Sequence, residues 1–295
     1  MANGILIIDK PQGWTSMDVC AKLRGMFHEK RVGHAGTLDP MATGVLPVFL
    51  GRATRAVEFA SDSDKEYIAG LKLGVSTNTQ DTTGETLETR PVNVSREDVA
   101  AALARFTGDI EQVPPMYSAI KINGKKLYEL ARKGKEVERK PRPVTIHALE
   151  LLEDEVPPGT DYLLRVACSK GTYVRTLCHD IGQALGCGGC MSSLRRVKAA
   201  GFTLADRVTL EAVQAAVDRG EGESLLLPVD LCFPDRPLLL LRGAGPEKKL
   251  RNGASLSAHD LPDGEYRVYG MDRTFLALCR VADGRLTTVK SFFEV

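Results

Sequence analysis

The sequence predicts an α+β protein of two unequal units, and three observations support this fold class. Short apolar runs typical of strands alternate irregularly with segments of helical periodicity, too unevenly for a doubly wound parallel sheet. The 295 residues are enough for one large domain or two unequal ones. From Pro234 onward the pattern changes to short β-type runs with glycines at turn-like spacing. We therefore expect a larger mixed domain over 1–235 and a small β unit over 236–295.

The first half of the chain contains both kinds of element. Thr15 with Asp18 forms a capping-box pattern, as does Ser95 with Asp98, and each pattern predicts the start of a helix. Tyr67 stands near the start of an expected strand. In order, we expect a strand over 4–9, a helix from Thr15 to about 27, a strand over 45–50, a short helix over 53–60, a strand over 65–73 and a helix from Ser95 to about 106.

The second half is expected to leave the core and return to it. Residues 117–122 predict a strand that enters a hairpin turn at Asn123-Gly124, and 127–132 predict a helical turn. The chain then returns with strands over 144–152 and 162–168, a helix from about 171 to 185, and a helix over 209–219. A second basic cluster, Arg195, Arg196 and Lys198, lies between the last two helices.

Composition excludes several classes of protein. With 43% hydrophobic and 26% charged residues, the chain can bury a substantial core and is not disordered. Its first apolar run, Ile5 to Ile8, is too short for a signal peptide or a membrane span, so we expect a cytoplasmic protein. Seven scattered cysteines do not resemble a disulfide framework. The lone Cys187-Gly-Gly-Cys190 leaves a redox or zinc role open, but it has no second ligand pair, so we expect no metal site.

A net charge of +1 conceals a local asymmetry. Between Lys121 and Arg142 stand nine Lys or Arg residues and three Glu, a local excess of six positive charges. Such a segment in a nearly neutral protein indicates a partner rich in phosphate. The alternative is a charged face that only contacts water, which is the commoner meaning of a charge run.

The stretch from Gly33 to Gly44, Gly-His-Ala-Gly-Thr-Leu-Asp-Pro-Met-Ala-Thr-Gly, has features of a functional loop. Its three glycines permit unusual backbone angles, and Pro40 restricts the conformation of Asp39. That geometry suits a rigidly displayed carboxylate. From local features alone, a turn in which Asp39 bonds its own backbone or caps a helix is an equal alternative.

Five motifs, in order and spacing, resemble the TruB family of RNA pseudouridine synthases. Besides the loop at 33–44, they are Asp9-Lys-Pro-Gln-Gly-Trp-Thr-Ser16, Lys65-Glu-Tyr67 with Gly74, Met116 to Tyr128, and Ser169 to Thr176 with Leu194-Arg-Arg196. The resemblance implies a mixed, largely antiparallel sheet with an RNA-gripping insertion at about 121–142. More loosely, the C-terminal part is similar to a β-barrel-like, PUA-type RNA-binding domain.

The resemblance also implies a reaction and the residues that perform it. The reaction would be isomerisation of uridine to pseudouridine at position 55 in the T loop of tRNA, with no cofactor or metal. The base would be flipped into a pocket, with Asp39 as nucleophile, Arg175 as its ion-pair partner, and Tyr67 stacking on the base and moving a proton. The matching RNA-binding and pocket residues are His34, Tyr67, Tyr173, Leu194, Lys125, Lys126, Lys133 and Arg139.

The chemistry is consistent with these residues, although several alternatives stay open. Carboxylates commonly serve as nucleophiles in glycosyl chemistry, and a nearby arginine would keep Asp39 ionised. Attack on the ribose C1′, attack on the base and assisted elimination are all possible roles for Asp39. A catalytically silent RNA-binding protein and a subunit guided by a separate RNA are alternative functions. The basic insertion favours an enzyme that binds tRNA by itself, without an obligatory protein partner. No large apolar repeat demands assembly, so we expect a monomer.

Overall fold

The computed structural model describes residues 2–122 and 124–293. Its strands are β1 (Gly4–Lys10), β2 (Val32–His34), β3 (Thr43–Leu50), β4 (Lys65–Leu73), β5 (Val75–Thr77), β6 (Thr86–Thr89), β7 (Gly108–Gln112), β8 (Lys121–Ile122), β9 (Lys125–Lys126), β10 (Arg142–Leu151), β11 (Tyr162–Cys168), β12 (Gly189–Ala199), β13 (Phe202–Thr203), β14 (Leu238–Leu240), β15 (Leu256–Ser257), β16 (Gly264–Tyr269), β17 (Phe275–Ala282) and β18 (Arg285–Ser291). Its α-helices are α1 (Ser16–Phe27), α2 (Val57–Ser61), α3 (Arg96–Leu103), α4 (Leu127–Ala131), α5 (Val174–Ala184), α6 (Leu210–Asp218) and α7 (Ala244–Arg251).

A nine-stranded mixed sheet forms the larger unit. Its main path runs β1-β3-β12-β4-β11-β10-β7, with β2 added to β3 and β13 added to β12. The pairs are antiparallel except for β3 and β12, which run parallel where Thr43 faces Arg195. The strand β4 therefore lies between β12 and β11, in the interior of the sheet. The α+β class with a mixed, largely antiparallel sheet is confirmed.

The two faces of this sheet are buried against different partners. Because side chains of a strand alternate between faces, Leu6 and Ile8 of β1 pack in a core with α1, α5 and α6, whereas Ile5 and Ile7 join a second core. The second core includes Phe292 from the C-terminal unit. The main sheet is thus covered by helices on one face and in part by the C-terminal unit on the other.

The C-terminal unit is a curled five-stranded sheet in the order β14-β16-β17-β18-β15, with its own apolar core. It meets the larger unit through the Phe233 ring, whose centroid lies 6.2 Å from Phe275 and 6.0 Å from Phe292. The Tyr269 hydroxyl also donates to Asp230 at 2.6 Å. The expected small β unit is confirmed, and its boundary at residue 235 stays a prediction. The helix α7 was not anticipated, because its Gly245 and Pro246 are typical of turns.

Several expected elements differ from those observed. Only Lys121–Ile122 of the expected strand over 117–122 is extended, and it pairs with β9. The carbonyls of Tyr117 and Ser118 accept from Arg175 and from the Tyr128 N–H, so this backbone is satisfied without a long ladder. Asn123 of the expected hairpin turn lies outside the described residues. The edge strand β7 was missed because its Gly-Asp-Ile-Glu-Gln sequence has little apolar character.

No helix within 2–122 and 124–293 is long and apolar enough to cross a membrane.

Candidate active site

A cavity of about 840 Å³ opens beside the interior strands of the large sheet. Its walls come from the 36–41 loop, β4, β12, the segment leading into α5, and the base of the insertion. The cavity brings together five of the residues named from the motifs: Asp39, Tyr67, Tyr173, Arg175 and Leu194. Residues more than a hundred positions apart in sequence therefore face one space.

The loop that carries Asp39 is fixed by backbone contacts. The Ala42 N–H donates to the Asp39 carbonyl at 3.0 Å, and the Gly13 N–H donates to the Pro40 carbonyl at 2.8 Å. Gly44, at the start of β3, has φ +98°, and a Cβ there would lie 2.2 Å from the Arg196 carbonyl oxygen. Glycine is thus required where β3 approaches β12, and this close approach holds the Asp39 loop against the sheet.

Arg175, in the first turn of α5, contacts Asp39 directly. Its Nε lies 2.9 Å from Asp39 Oδ2, and its Nη2 lies 3.5 Å from Oδ1. The Arg175 side chain is only 7% exposed, whereas that of Asp39 is 37% exposed and faces the cavity. The remaining guanidinium donors go to the carbonyls of Thr79 at 3.0 Å and Tyr117 at 2.8 Å. These contacts fix the fork of the arginine, so it presents one defined edge to Asp39.

Burial and three neighbouring charged side chains act on the pKa of the Asp39 carboxyl. Burial raises the pKa of the Asp39 carboxyl; Arg175 opposes the rise, and the neighbouring carboxylate of Asp81 adds to it. The net shift of this pKa is upward because burial outweighs Arg175, whose Nη1 also lies 3.6 Å from the Asp81 carboxylate, a side chain that is only 5% exposed. The arginine thus favours the ionised form of Asp39 without outweighing the loss of water.

Lys10 supplies a further cation beneath this loop, which the sequence reasoning did not select. It is fully buried, and its Nζ donates to the carbonyls of Pro11 at 2.9 Å, Trp14 at 2.6 Å and Pro40 at 3.3 Å. Burial lowers the pKa of Lys10 to about 8, while the charge of Asp39 opposes that shift. The position of Lys10 in the Asp9-Lys-Pro motif was the feature of the sequence that could have identified it.

Tyr67 lies on β4 with Val166 on one side and Arg196 on the other. Burial raises the pKa of its phenol, and the adjacent Arg196 opposes the rise, so the hydroxyl stays protonated near neutral pH. Arg196 is itself fixed, donating to the carbonyls of Val45 at 2.7 Å and Gly36 at 2.9 Å. The sequence had indicated Arg196 only as part of a basic cluster.

Tyr173 and His34 hold different positions relative to the cavity. Tyr173 precedes α5 and lines the cavity, and its backbone exchanges two hydrogen bonds with the Gln112 side chain, at 3.0 and 3.1 Å. His34 ends β2 and is half-buried, but it does not line the cavity. Burial lowers the pKa of His34, and its Nδ1 has no hydrogen-bond partner among the described residues.

The basic residues of the insertion are not equivalent. Lys125 and Lys133 are exposed. Lys126 donates to the Tyr128 hydroxyl at 3.3 Å. Arg139 is engaged within the chain, donating to Glu136 at 2.9 Å and to the Pro114 carbonyl at 3.3 Å. Tyr128 and Arg132, which the motif comparison did not select, line the cavity.

Potential metal ligands are not brought together. Within the described parts of the chain, no three His, Cys, Asp or Glu side chains are grouped as a metal site would need. Cys187 and Cys190 are buried thiols, and burial raises the pKa of Cys190 to about 11.

Family models and curated relatives match most of the chain. Residues 24–174 match the model of the TruB family pseudouridylate synthase N-terminal domain, and residues 175–233 match that of the tRNA pseudouridylate synthase B C-terminal domain. The chain is 42% identical to the tRNA pseudouridine synthase B of Clostridium kluyveri, over 98% of this chain and 99% of that protein. It is 46% identical to the protein of the same name from Pseudomonas putida strain F1, over 96% and 93% respectively.

Among solved structures, the chain is similar to one in the crystal structure of a Cbf5-Nop10-Gar1 complex. The TM-score is 0.75 with 26% sequence identity, and the match covers 99% of this chain and 85% of that one.

Proposed function

The chain belongs to the TruB family of pseudouridylate synthases, and from that premise we propose that it isomerises uridine to pseudouridine at position 55 in the T loop of tRNA. The observation that carries the proposal is the ion pair between Asp39 and Arg175, 2.9 Å apart, in a cavity that also contains Tyr67. The volume of this cavity, about 840 Å³, lies within the range of about 300–1,000 Å³ found for small-ligand pockets.

The reaction needs no external reactant. The bond between N1 of uracil and C1′ of the ribose breaks, the base rotates, and C5 bonds to C1′. The proton on C5 is lost and N1 gains one, so the product is an isomer of the substrate and no electrons are exchanged. A redox cofactor or metal is therefore not required by the balance of atoms.

Asp39 is the proposed nucleophile. Its carboxylate lines the cavity and is 37% exposed, and its contacts with Arg175 fix its orientation. Carboxylates form covalent intermediates in related glycosyl chemistry. Addition to the ribose C1′, addition to the base and assistance of elimination all use the ionised form. The acid limb of the rate profile should therefore follow the raised pKa of Asp39.

Tyr67 is the proposed stacking partner of the flipped uracil. Flipping costs a few kcal/mol, and one stacking contact returns about 1–3 kcal/mol. Other contacts must therefore supply the rest of the free energy of flipping. We assign them to His34, which would fill the space that the flipped base leaves, and to phosphate contacts from Lys125, Lys126 and Lys133. Tyr173 and Leu194 close the pocket around the base. The Tyr67 hydroxyl, kept protonated by burial, is the proposed carrier of a proton.

The proposal extends to the organisation of the chain. Residues 1–235 would form the catalytic domain and 236–295 a PUA-like unit that adds RNA contacts. We expect the protein to bind tRNA in the cytoplasm as a monomer, without an obligatory protein partner.

Asp39→Asn tests the proposal, with Asp218→Asn as the matched control. Asp218 ends α6, is exposed, and has no part in the cavity. Pseudouridine is mapped on an unmodified tRNA transcript, and RNA binding is measured in parallel. We expect Asp39→Asn to abolish pseudouridine formation while the dissociation constant for RNA changes little. Turnover near the wild-type rate would refute the nucleophile assignment, and modification at another uridine would refute the position.

A further inference from the structure

The insertion reaches the catalytic cavity itself. Tyr128 and Arg132, carried by α4 and the residue after it, line the same cavity as Asp39 and Tyr67. Their position is well anchored, because Leu127 beside them is fully buried and its N–H donates to the Ile120 carbonyl at 2.8 Å.

A short stretch of backbone connects this helix to the catalytic arginine. The Tyr128 N–H donates to the Ser118 carbonyl at 3.1 Å, and the preceding carbonyl, that of Tyr117, accepts from Arg175 at 2.8 Å. The position of α4 is therefore tied to the group that holds Asp39.

Tyr128 holds two cations without cancelling their charge. The Lys126 Nζ and the guanidinium carbon of Arg132 each lie 5.4 Å from the centroid of the Tyr128 ring. An aromatic ring attracts and positions a cation but carries no net charge of its own. Over 2–122 and 124–293, no carboxylate forms an ion pair with Lys126 or Arg132, whereas Arg139 is paired with Glu136. Two like charges held near one ring repel each other, and an anion that contacts both would offset that repulsion.

We propose that Lys126, Tyr128 and Arg132 form a phosphodiester clamp that binds the RNA backbone immediately beside the flipped uridine. This inference rests on the proposed function. The planar fork of Arg132 can bond two phosphate oxygens at once, while Lys126 adds a point charge. A phosphate fixed at the cavity wall constrains the attached ribose, and therefore the position of its C1′ relative to Asp39. The clamp thus acts in the chemical step, unlike exposed lysines that contribute only to affinity.

The test is a double-mutant cycle that removes one positive charge from the protein and one negative charge from the RNA. Arg132→Gln is compared with Lys135→Gln, which removes the same charge from an exposed residue that does not line the cavity. The substrates are T-arm RNAs with native linkages, or with an uncharged methylphosphonate at the phosphate 5′ or 3′ to the target uridine. Single-turnover rate constants are measured at saturating RNA, together with dissociation constants.

We expect Arg132→Gln to lower the rate constant about tenfold on native RNA, since hydrogen bonds to charged groups have about that effect. Lys135→Gln should leave the rate constant unchanged. One of the two neutral linkages should slow the wild-type protein to a similar extent and slow Arg132→Gln no further. Tyr128→Leu, which removes the ring, should reproduce part of the loss, whereas Tyr128→Phe, which keeps the ring and loses only the hydroxyl contact to Lys126, should lose less.

The clamp is refuted if Arg132→Gln has the same single-turnover rate constant as Lys135→Gln. It is also refuted if, for each of the two neutral linkages, the fold-loss in rate constant from the linkage multiplies with the fold-loss from Arg132→Gln. A wild-type protein that forms no pseudouridine on native RNA would instead refute the proposed function. In that case the same comparison is made with the dissociation constants for RNA. Fold-losses in affinity that do not multiply support the clamp, and fold-losses that multiply refute it.

Discussion

Replacing Arg175 should move the pH dependence of the reaction in a defined direction. Arg175→Gln removes the cation 2.9 Å from Asp39 but keeps a side chain that can donate to a carbonyl such as that of Tyr117. The pKa of Asp39 is already raised by burial and by Asp81, and Arg175 is the largest influence that opposes the rise. An opposite charge at this distance lowers a carboxyl pKa by about 1–3 units, so its loss should raise the pKa by that amount.

The consequence for the rate follows from which form of Asp39 reacts. In the proposed reaction Asp39 acts as the carboxylate, so kcat/KM should rise with pH through the pKa of Asp39 in the unbound protein. Arg175→Gln should raise that pKa by about 1–3 units. At a pH below the Asp39 pKa of both proteins, its kcat/KM should therefore be about 10- to 1,000-fold lower than that of the wild-type protein. The loss should largely disappear at a pH above the new pKa.

Tritium release provides the assay, because the hydrogen on C5 of uridine is lost when C5 bonds to the ribose. Arg165→Gln is the matched control: Arg165 pairs with Glu66 at 2.7 Å and Glu150 at 3.0 Å, is about one-third exposed, and does not line the cavity. Its acid limb should coincide with that of the wild-type protein. An unmoved acid limb in Arg175→Gln, with a rate that is low at every pH, would refute electrostatic support of Asp39 by this arginine.

Three further predictions follow from individual contacts. Lys133→Gln should reduce the slope of log K against log salt for tRNA by about 0.7–0.9, and Arg139→Gln should reduce it less because Arg139 already pairs with Glu136; equal reductions would contradict that difference. Tyr67→Phe, which keeps the ring and loses the hydroxyl, should leave KM nearly unchanged and lower kcat by about 10²–10⁴, whereas an unchanged kcat would exclude the hydroxyl from proton transfer. Gly44→Ala should lower the free energy of unfolding in urea by roughly 3–5 kcal/mol, because its Cβ would meet a backbone carbonyl. Gly13→Ala, with similar φ but no atom within 4 Å of the new Cβ, should cost only about 1–2 kcal/mol, and equal costs would show that the close approach at Gly44 is unimportant.

Local sequence was sufficient for elements that local interactions stabilise. The helix α1 begins after Thr15 as its capping box predicts, with both reciprocal hydrogen bonds present. The strand β4 has the predicted bounds, because its apolar residues are buried. The strand β12 was only partly recognisable, since Arg195, Arg196 and Lys198 interrupt its apolar pattern. Pairing with β3 and β4 holds these residues in the strand, and pairing partners distant in sequence leave no local signal.

The α+β class, the family resemblance and the choice of Asp39, Tyr67 and Arg175 as candidates follow from the amino-acid sequence, because motif order and residue chemistry are properties of the chain. How these groups influence one another depends on the folded structure. Asp39 has a raised pKa because burial and Asp81 together outweigh Arg175, and both depend on distances between segments far apart in the chain. Charge in the basic insertion was likewise visible in the sequence. The folded structure determines which cations are already paired with a carboxylate. Arg139 is paired with Glu136, whereas Arg132 lies over the Tyr128 ring at the wall of the cavity.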